Sequence, residues 1–153
     1  NSNVVGFKTI THHAVPAQTI FNLLKDVCKA MELMNHMYIK GVVFKPWPTQ
    51  SDPTGTLVGT YFKMPYPFTD REFVHGLHSA KLNASTWVVG YTPVPLDTVP
   101  AESGFIRCET SISGQRITQL ADGSCKVEHL MVYELGGGVS NAVVGERTGN
   151  ASG

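Results

Sequence analysis

Fifteen glycines and nine prolines cut this 153-residue chain into short pieces, and that punctuation limits what it can fold into. The breaks fall at Pro46-Trp47-Pro48 through Gly55, at Pro65-Tyr66-Pro67, and from Pro93 to Gly104. Further breaks are Ser113-Gly114, Asp122-Gly123 and Gly136-Gly137-Gly138. The intervening segments are rich in Val, Thr, Phe, Tyr and Ile, residues that fit a pleated, half-buried surface. Strands are predicted at 4–12, 38–46, 56–64, 72–81, 85–92, 104–112, 115–120 and 125–135. In the last, Val127, His129, Met131, Tyr133 and Leu135 take one face, and Lys126, Glu128 and Glu134 the other. Asp122-Gly123 marks a tight hairpin.

One segment has the helical period instead. Ile20, Leu23, Leu24, Val27, Met31 and Met34 form a stripe that predicts a helix over 17–34 packed on a sheet, with Pro16 tolerated at its first turn. Val139 to about Thr148 reads as a short second helix approached through three glycines. Many antiparallel strands and few helices make the chain α+β, with the helices on one face of a curved sheet.

The length fits one domain, residues 1–153, which hides roughly 70% of its unfolded surface. Twelve basic and twelve acidic residues give zero formal charge, which excludes a basic nucleic-acid surface or an acidic tail as the theme. Charged residues make up 16%, so Thr, Ser, Asn and Gly carry much of the surface. Cys28, Cys108 and Cys125 are an odd set with no short-range pair, which argues against a disulfide framework or a zinc knuckle and for a reducing compartment. The longest uncharged stretch, Thr9–Leu24, is too short to span a bilayer, and no signal peptide is visible. Beginning at Asn1, the chain reads as a piece of a longer protein.

Chemistry-bearing patterns are sparse. His75 and His78 stand three apart in a predicted strand and point to opposite faces, His12 and His13 diverge, and no partner stands at ligand spacing, so no metal is expected. There is no nucleophile elbow, and no cysteine has a nucleophile's context. The few carboxylates sit beside Lys or Arg or in turns, as Asp52, Asp97 and Asp122 do. The glycines after Glu134 lack the spacing of a phosphate cradle and read as a hinge. His129 and Tyr133, on an apolar face, are core residues or hold the polar end of a ligand in a hollow fold. Asn-Ala-Ser at Asn83 and Asn150 is short enough to arise by chance.

The run Met64-Pro-Tyr-Pro-Phe-Thr-Asp-Arg-Glu-Phe-Val74 resembles the P-x-x-x-R-D-F-V signature of START domains, the steroidogenic-acute-regulatory-related lipid-transfer modules, with Glu72 in place of the commoner Asp. Gly104-Phe-Ile-Arg-Cys-Glu109 is similar to the family's G-x-(V/I)-R strand, and Asp122 through Gly137 follows its last hairpin and strand. The likeness covers roughly residues 4–148. It implies a helix-grip fold, a curved antiparallel sheet around a C-terminal helix with a lipid-sized cavity. Such domains bind one sterol, phospholipid or similar lipid and carry it between membranes without chemistry or cofactor. Enclosure has a physical reason: an apolar chain in water costs about 0.8 kcal/mol per CH₂.

The resemblance also implies that residues 92–103 form a lid, that the protein is cytoplasmic and peripheral at membranes, and that Arg71, Glu72 and Arg107 are structural. Expected cavity liners are Leu77, Trp87, Val89, Tyr91, Glu109, His129, Met131, Tyr133, Val139 and Val143. Leu77 stands where some sterol-binding members carry a buried Arg. The predicted last helix is shorter than the family's, which exposes sheet and invites dimerisation. An alternative is a cyclase- or lyase-type enzyme, or a small-molecule binder, on the same scaffold, with His129 and Glu109 as candidate acid–base groups. A third is a regulatory domain that senses lipid.

Overall fold

The Val-, Thr- and aromatic-rich segments pair into one eight-stranded sheet in a computed structural model that describes residues 4–134 and Gly136. The elements are β1 (Val4–His13), α1 (Ala17–Leu24), α2 (Val27–Met34), β2 (Tyr38–Pro46), β3 (Thr56–Phe62), β4 (Asp70–Asn83), β5 (Thr86–Pro93), β6 (Phe105–Thr110), β7 (Ser113–Gln119) and β8 (Cys125–Glu134). The order is β1-β8-β7-β5-β4-β3-β2, while β6 pairs with both β4 and β8. Every pairing is antiparallel except β4 with β6.

That double pairing tapers the sheet. Between β4 and β8 lie β5 and β7 at one end and β6 alone at the other. At about 4.8 Å per strand, three spacings of roughly 14 Å face two of roughly 10 Å, and the sheet curls to accommodate the difference. The change of neighbour happens at Ser111-Ile112. Thr110 opposes Tyr133 whereas Gly114 opposes Leu130, so the β6–β7 run holds one more residue than β8 across this interval. Such a bulge reverses the alternation of faces: Cys108 and Thr110 are buried before it, and Ser113, Gln115 and Ile117 after it. The Ser113 hydroxyl repairs the ladder there, accepting from Val132 N at 2.9 Å and lying 3.3 Å from Val132 O.

The predicted helix over 17–34 is two helices. The Asp26 side chain accepts from Lys29 N at 3.2 Å and starts α2 afresh, which breaks the run at Lys25-Asp26. The stripe consequently ends early, and Met34 is 63% exposed. Pro16 precedes α1 in an extended conformation, and Ala17 N donates to Gln119 Oε1 at 2.8 Å, which ties the helix start to β7. Both helices lie on one face of the sheet, as expected. Ala17, Leu24, Val27 and Ala30 join Val58, Leu77, Trp87, Val89, Tyr91, Ile117, Cys125 and Val127 in the main core. At the β2 contact a Cβ on Gly41 would overlap the Cys28 sulfur, so the glycine permits the close approach of α2.

The hairpin at Asp122-Gly123 is present. Leu120 N donates to Ser124 O, and Gly123 has φ +88°, a conformation that costs a residue with a side chain. The predicted helix at 139–148 and Leu135 lie outside the described residues.

Replacing Ser113 by Ala leaves the half-buried Val132 N–H without its side-chain partner. The expected loss is about 1–3 kcal/mol, read as a lower urea midpoint at unchanged slope.

Candidate functional site

The face that meets α1 and α2, the inner face, has three zones along the strands. At the wide end Leu77, Trp87, Val89, Ile117, Cys125 and Val127 are packed by the helices. At the narrow end Cys108 and Tyr133 are buried among Phe7, Phe68, Phe73 and Met131, and no residue of α1 or α2 belongs to this cluster. Aromatic edges link it: Phe62 to Phe73 at 5.7 Å, Phe73 to Tyr133 at 5.8 Å and Phe7 to Tyr133 at 6.4 Å between ring centroids.

Between these zones runs a polar row, with His75 on β4, Tyr91 on β5, Gln115 on β7 and His129 on β8. Strand register places it: Leu77 opposes Tyr91, Val89 opposes Gln115, and Gln115 opposes His129. The His75 and Tyr91 rings meet edge to face at 4.9 Å, and Phe7 meets His129 at 5.8 Å. The Gln115 side chain hydrogen-bonds the Tyr91 hydroxyl. Burial sets the charge state of this lining. It pushes His75 from 6.5 down to about 4, lowers His129, and raises Tyr91 and Tyr133. Burial likewise lifts Cys108 to about 12. At neutral pH these groups of the inner face are uncharged.

The expected liners separate accordingly. Leu77, Trp87 and Val89 lie in the helix-packed core, Tyr91 and His129 in the polar row, and Met131 and Tyr133 in the narrow aromatic end. Glu109 is exposed, because it alternates with the buried Cys108 and Thr110. It lines a small pocket of about 220 Å³ under Pro93–Leu96 instead. Val139 and Val143 lie outside the described residues. His75 and Gln115 were absent from the expected liners. Strand alternation from Leu77 points to the first, and hairpin register from Asp122-Gly123 points to the second.

The outer face carries the Glu72–Arg107 ion pair. Glu72 is fully buried and accepts from Arg107 Nε at 2.9 Å. Arg107 also donates to the carbonyls of Leu96 at 3.0 Å and Pro100 at 3.2 Å, and Glu102 N donates to Glu72 at 3.3 Å. Lys40 reaches Glu102 at 2.6 Å and lies over the Tyr61 ring at 4.7 Å. Residues 96–102 of the expected lid are thus strapped to the sheet. Arg71, on the inner face at the narrow end, donates to the carbonyls of Thr69 and Gly136.

Two outcomes follow. Arg107→Met leaves Glu72 buried without its cation and costs about 3–5 kcal/mol in chemical denaturation, whereas the double change with Glu72→Leu recovers most of it. The second concerns His75, which stays neutral when folded but takes a proton below pH 6.5 when unfolded. Its contribution is therefore complete above pH 6.5 and declines as pH falls toward 4, by about 3 kcal/mol in total. Thermal melts between pH 7.5 and 4 should show this slope, and His75→Phe should flatten it.

A START domain family model matches residues 2–151. No curated protein sequence matches the chain. Among solved structures, human StAR-related lipid transfer protein 5 is similar at TM-score 0.81 and 13% identity, over 95% of this chain and 69% of that one. Human STARD10 is similar at 0.77 and 16% identity, over 94% of this chain and 56% of that one, so the chain spans little more than half its length. The Zhui aromatase/cyclase from Streptomyces sp. R1128 is similar at 0.56 and 10% identity, over 97% and 88%. At these identities the likeness concerns the fold, a curved antiparallel sheet of the helix-grip kind, while the family match covers nearly every residue: the chain belongs to the START domain family.

Proposed function

We propose that this domain binds a single hydrophobic lipid, a sterol, phospholipid or similar molecule, against the inner face of its sheet, and carries or senses it between membranes without catalysis. The observation that carries the reading is the aromatic cluster of the inner face beyond the reach of α1 and α2, with Phe7, Phe73, Met131 and Tyr133 turned to it, while Arg71, the cation at this end, is bonded to the carbonyls of Thr69 and Gly136. An eight-carbon stretch moved from water to such a surface contributes about 6 kcal/mol. Family membership favours the same ligand class. The binding reading is preferred to an enzyme because Glu109, one of two candidate acid–base groups, is exposed away from this face. Among the described residues no helix is long and apolar enough to cross a membrane.

The test is native mass spectrometry after incubation with mixed-lipid vesicles and repurification. A one-to-one adduct of lipid mass is expected, and the same spectrum reads monomer against dimer. Protein that stays bare with every lipid class overturns the proposal. Vesicle-to-vesicle transfer of the identified lipid then separates a carrier from a sensor.

A further inference from the structure

Five residues have buried side-chain nitrogen or oxygen atoms with no protein partner among the described residues, and four of these residues face inward. They are both ring nitrogens of His75, Nε2 of His129, Oε1 of Gln115 and Oγ1 of Thr110. The fifth, His78, is on the outer face beside Gly55 and Gly76. An unpaired buried polar atom costs about 1–3 kcal/mol, so native proteins hold few of them. His75, Gln115 and Thr110 are each more than nine-tenths buried, which leaves bulk solvent a poor partner.

Their placement is ordered. Gln115 and His129 are direct cross-strand neighbours, and His75 reaches the same row through the Tyr91 ring and hydroxyl. Thr110 sits just across the bulge, opposite Tyr133. Apolar side chains border the row on both sides, with the helix-packed core at one end and the aromatic cluster at the other. A ligand lying along this face therefore meets hydrocarbon, then hydrogen-bonding groups, then hydrocarbon.

We propose that His75, Gln115 and His129, with the Thr110 hydroxyl, form a site for an uncharged hydrogen-bonding group carried partway along the lipid, such as a hydroxyl, a ketone or an amide. The inference rests on the lipid-binding reading and names the chemistry it selects. A neutral imidazole offers one donor and one acceptor, Gln115 Oε1 an acceptor, and Thr110 both, which complements a group that donates and accepts at once. A phosphate or carboxylate is disfavoured, because the row brings no cation to offset its desolvation. Arg71, the inward-facing cation of the narrow end, is engaged by the carbonyls of Thr69 and Gly136.

The experiment uses three pyrene-labelled probes of equal chain length, an alcohol, a carboxylate and an alkane, each offered from phosphatidylcholine vesicles to the protein and to its His75→Phe and Gln115→Met variants. The unaltered protein is expected to draw the alcohol from the vesicle about tenfold more strongly than the alkane, the value of one good buried hydrogen bond, and to leave the carboxylate behind. In both variants the alcohol-to-alkane ratio falls by about fivefold or more, while the ligand-free His75→Phe protein melts at a higher temperature because an unpaired polar group has been removed. Equal uptake of alcohol and alkane, a preference for the carboxylate, or an unchanged ratio in both variants overturns this inference and leaves lipid binding standing. A His75→Phe protein that melts lower at an unchanged ratio assigns the row to the fold and overturns the inference. Uptake of none of the probes overturns the lipid reading as well.

Discussion

One extra residue between β6 and β7 governs the shape of this protein. Because the strand run carries a bulge at Ser111-Ile112, β6 can pair with β4 while β7 pairs with β5, and both can share β8. The sheet narrows where one strand replaces two, and its faces exchange at the same point. Without the bulge, either Cys108 and Thr110 or Ser113, Gln115 and Ile117 would turn outward. Its stabilisation is local and modest, a serine hydroxyl bonded to Val132, but everything inward-facing on two strands depends on it.

The two faces then divide the chemistry. The outer face carries an ion pair, in which buried Glu72 holds Arg107 and, through it, the carbonyls of residues 96–100. A buried ion pair contributes little net stability against an apolar substitute, and its value here is positional, since it decides where the long β5–β6 connection lies. Inside, burial favours the neutral forms of His75, Tyr91 and His129. An inner face of neutral polar and aromatic groups, with a few unsatisfied hydrogen-bonding atoms, suits the mostly hydrocarbon ligand proposed for it.

Much of the fold was legible. Glycine and proline breaks located the strands to within two residues, because a chain with no side chain, or with no N–H, marks where ladders end. The errors have local causes. Asp26 caps a new helix inside an unbroken apolar stripe, so periodicity alone merged α1 with α2. The site was less legible. Trp87 and Val89 alternate as liners should, yet the helices cover them. His75 was weighed only as a metal ligand, although its strand position two residues from Leu77 already put it on the inner face.

The sequence by itself determined the strand pattern, the hairpin at Asp122-Gly123 and the family, because alternation, turn chemistry and the Met64–Val74 run are local properties of the chain. Only the tertiary structure decided which apolar residues pack under the helices and which gather at the narrow end of the inner face, since that depends on where α1 and α2 come to rest. It also decided that His75, Gln115 and His129, drawn from three strands, form one row. His75 and His129, 54 positions apart, come onto one row only through the register of β5 and β7 between them, and no window of sequence contains that register.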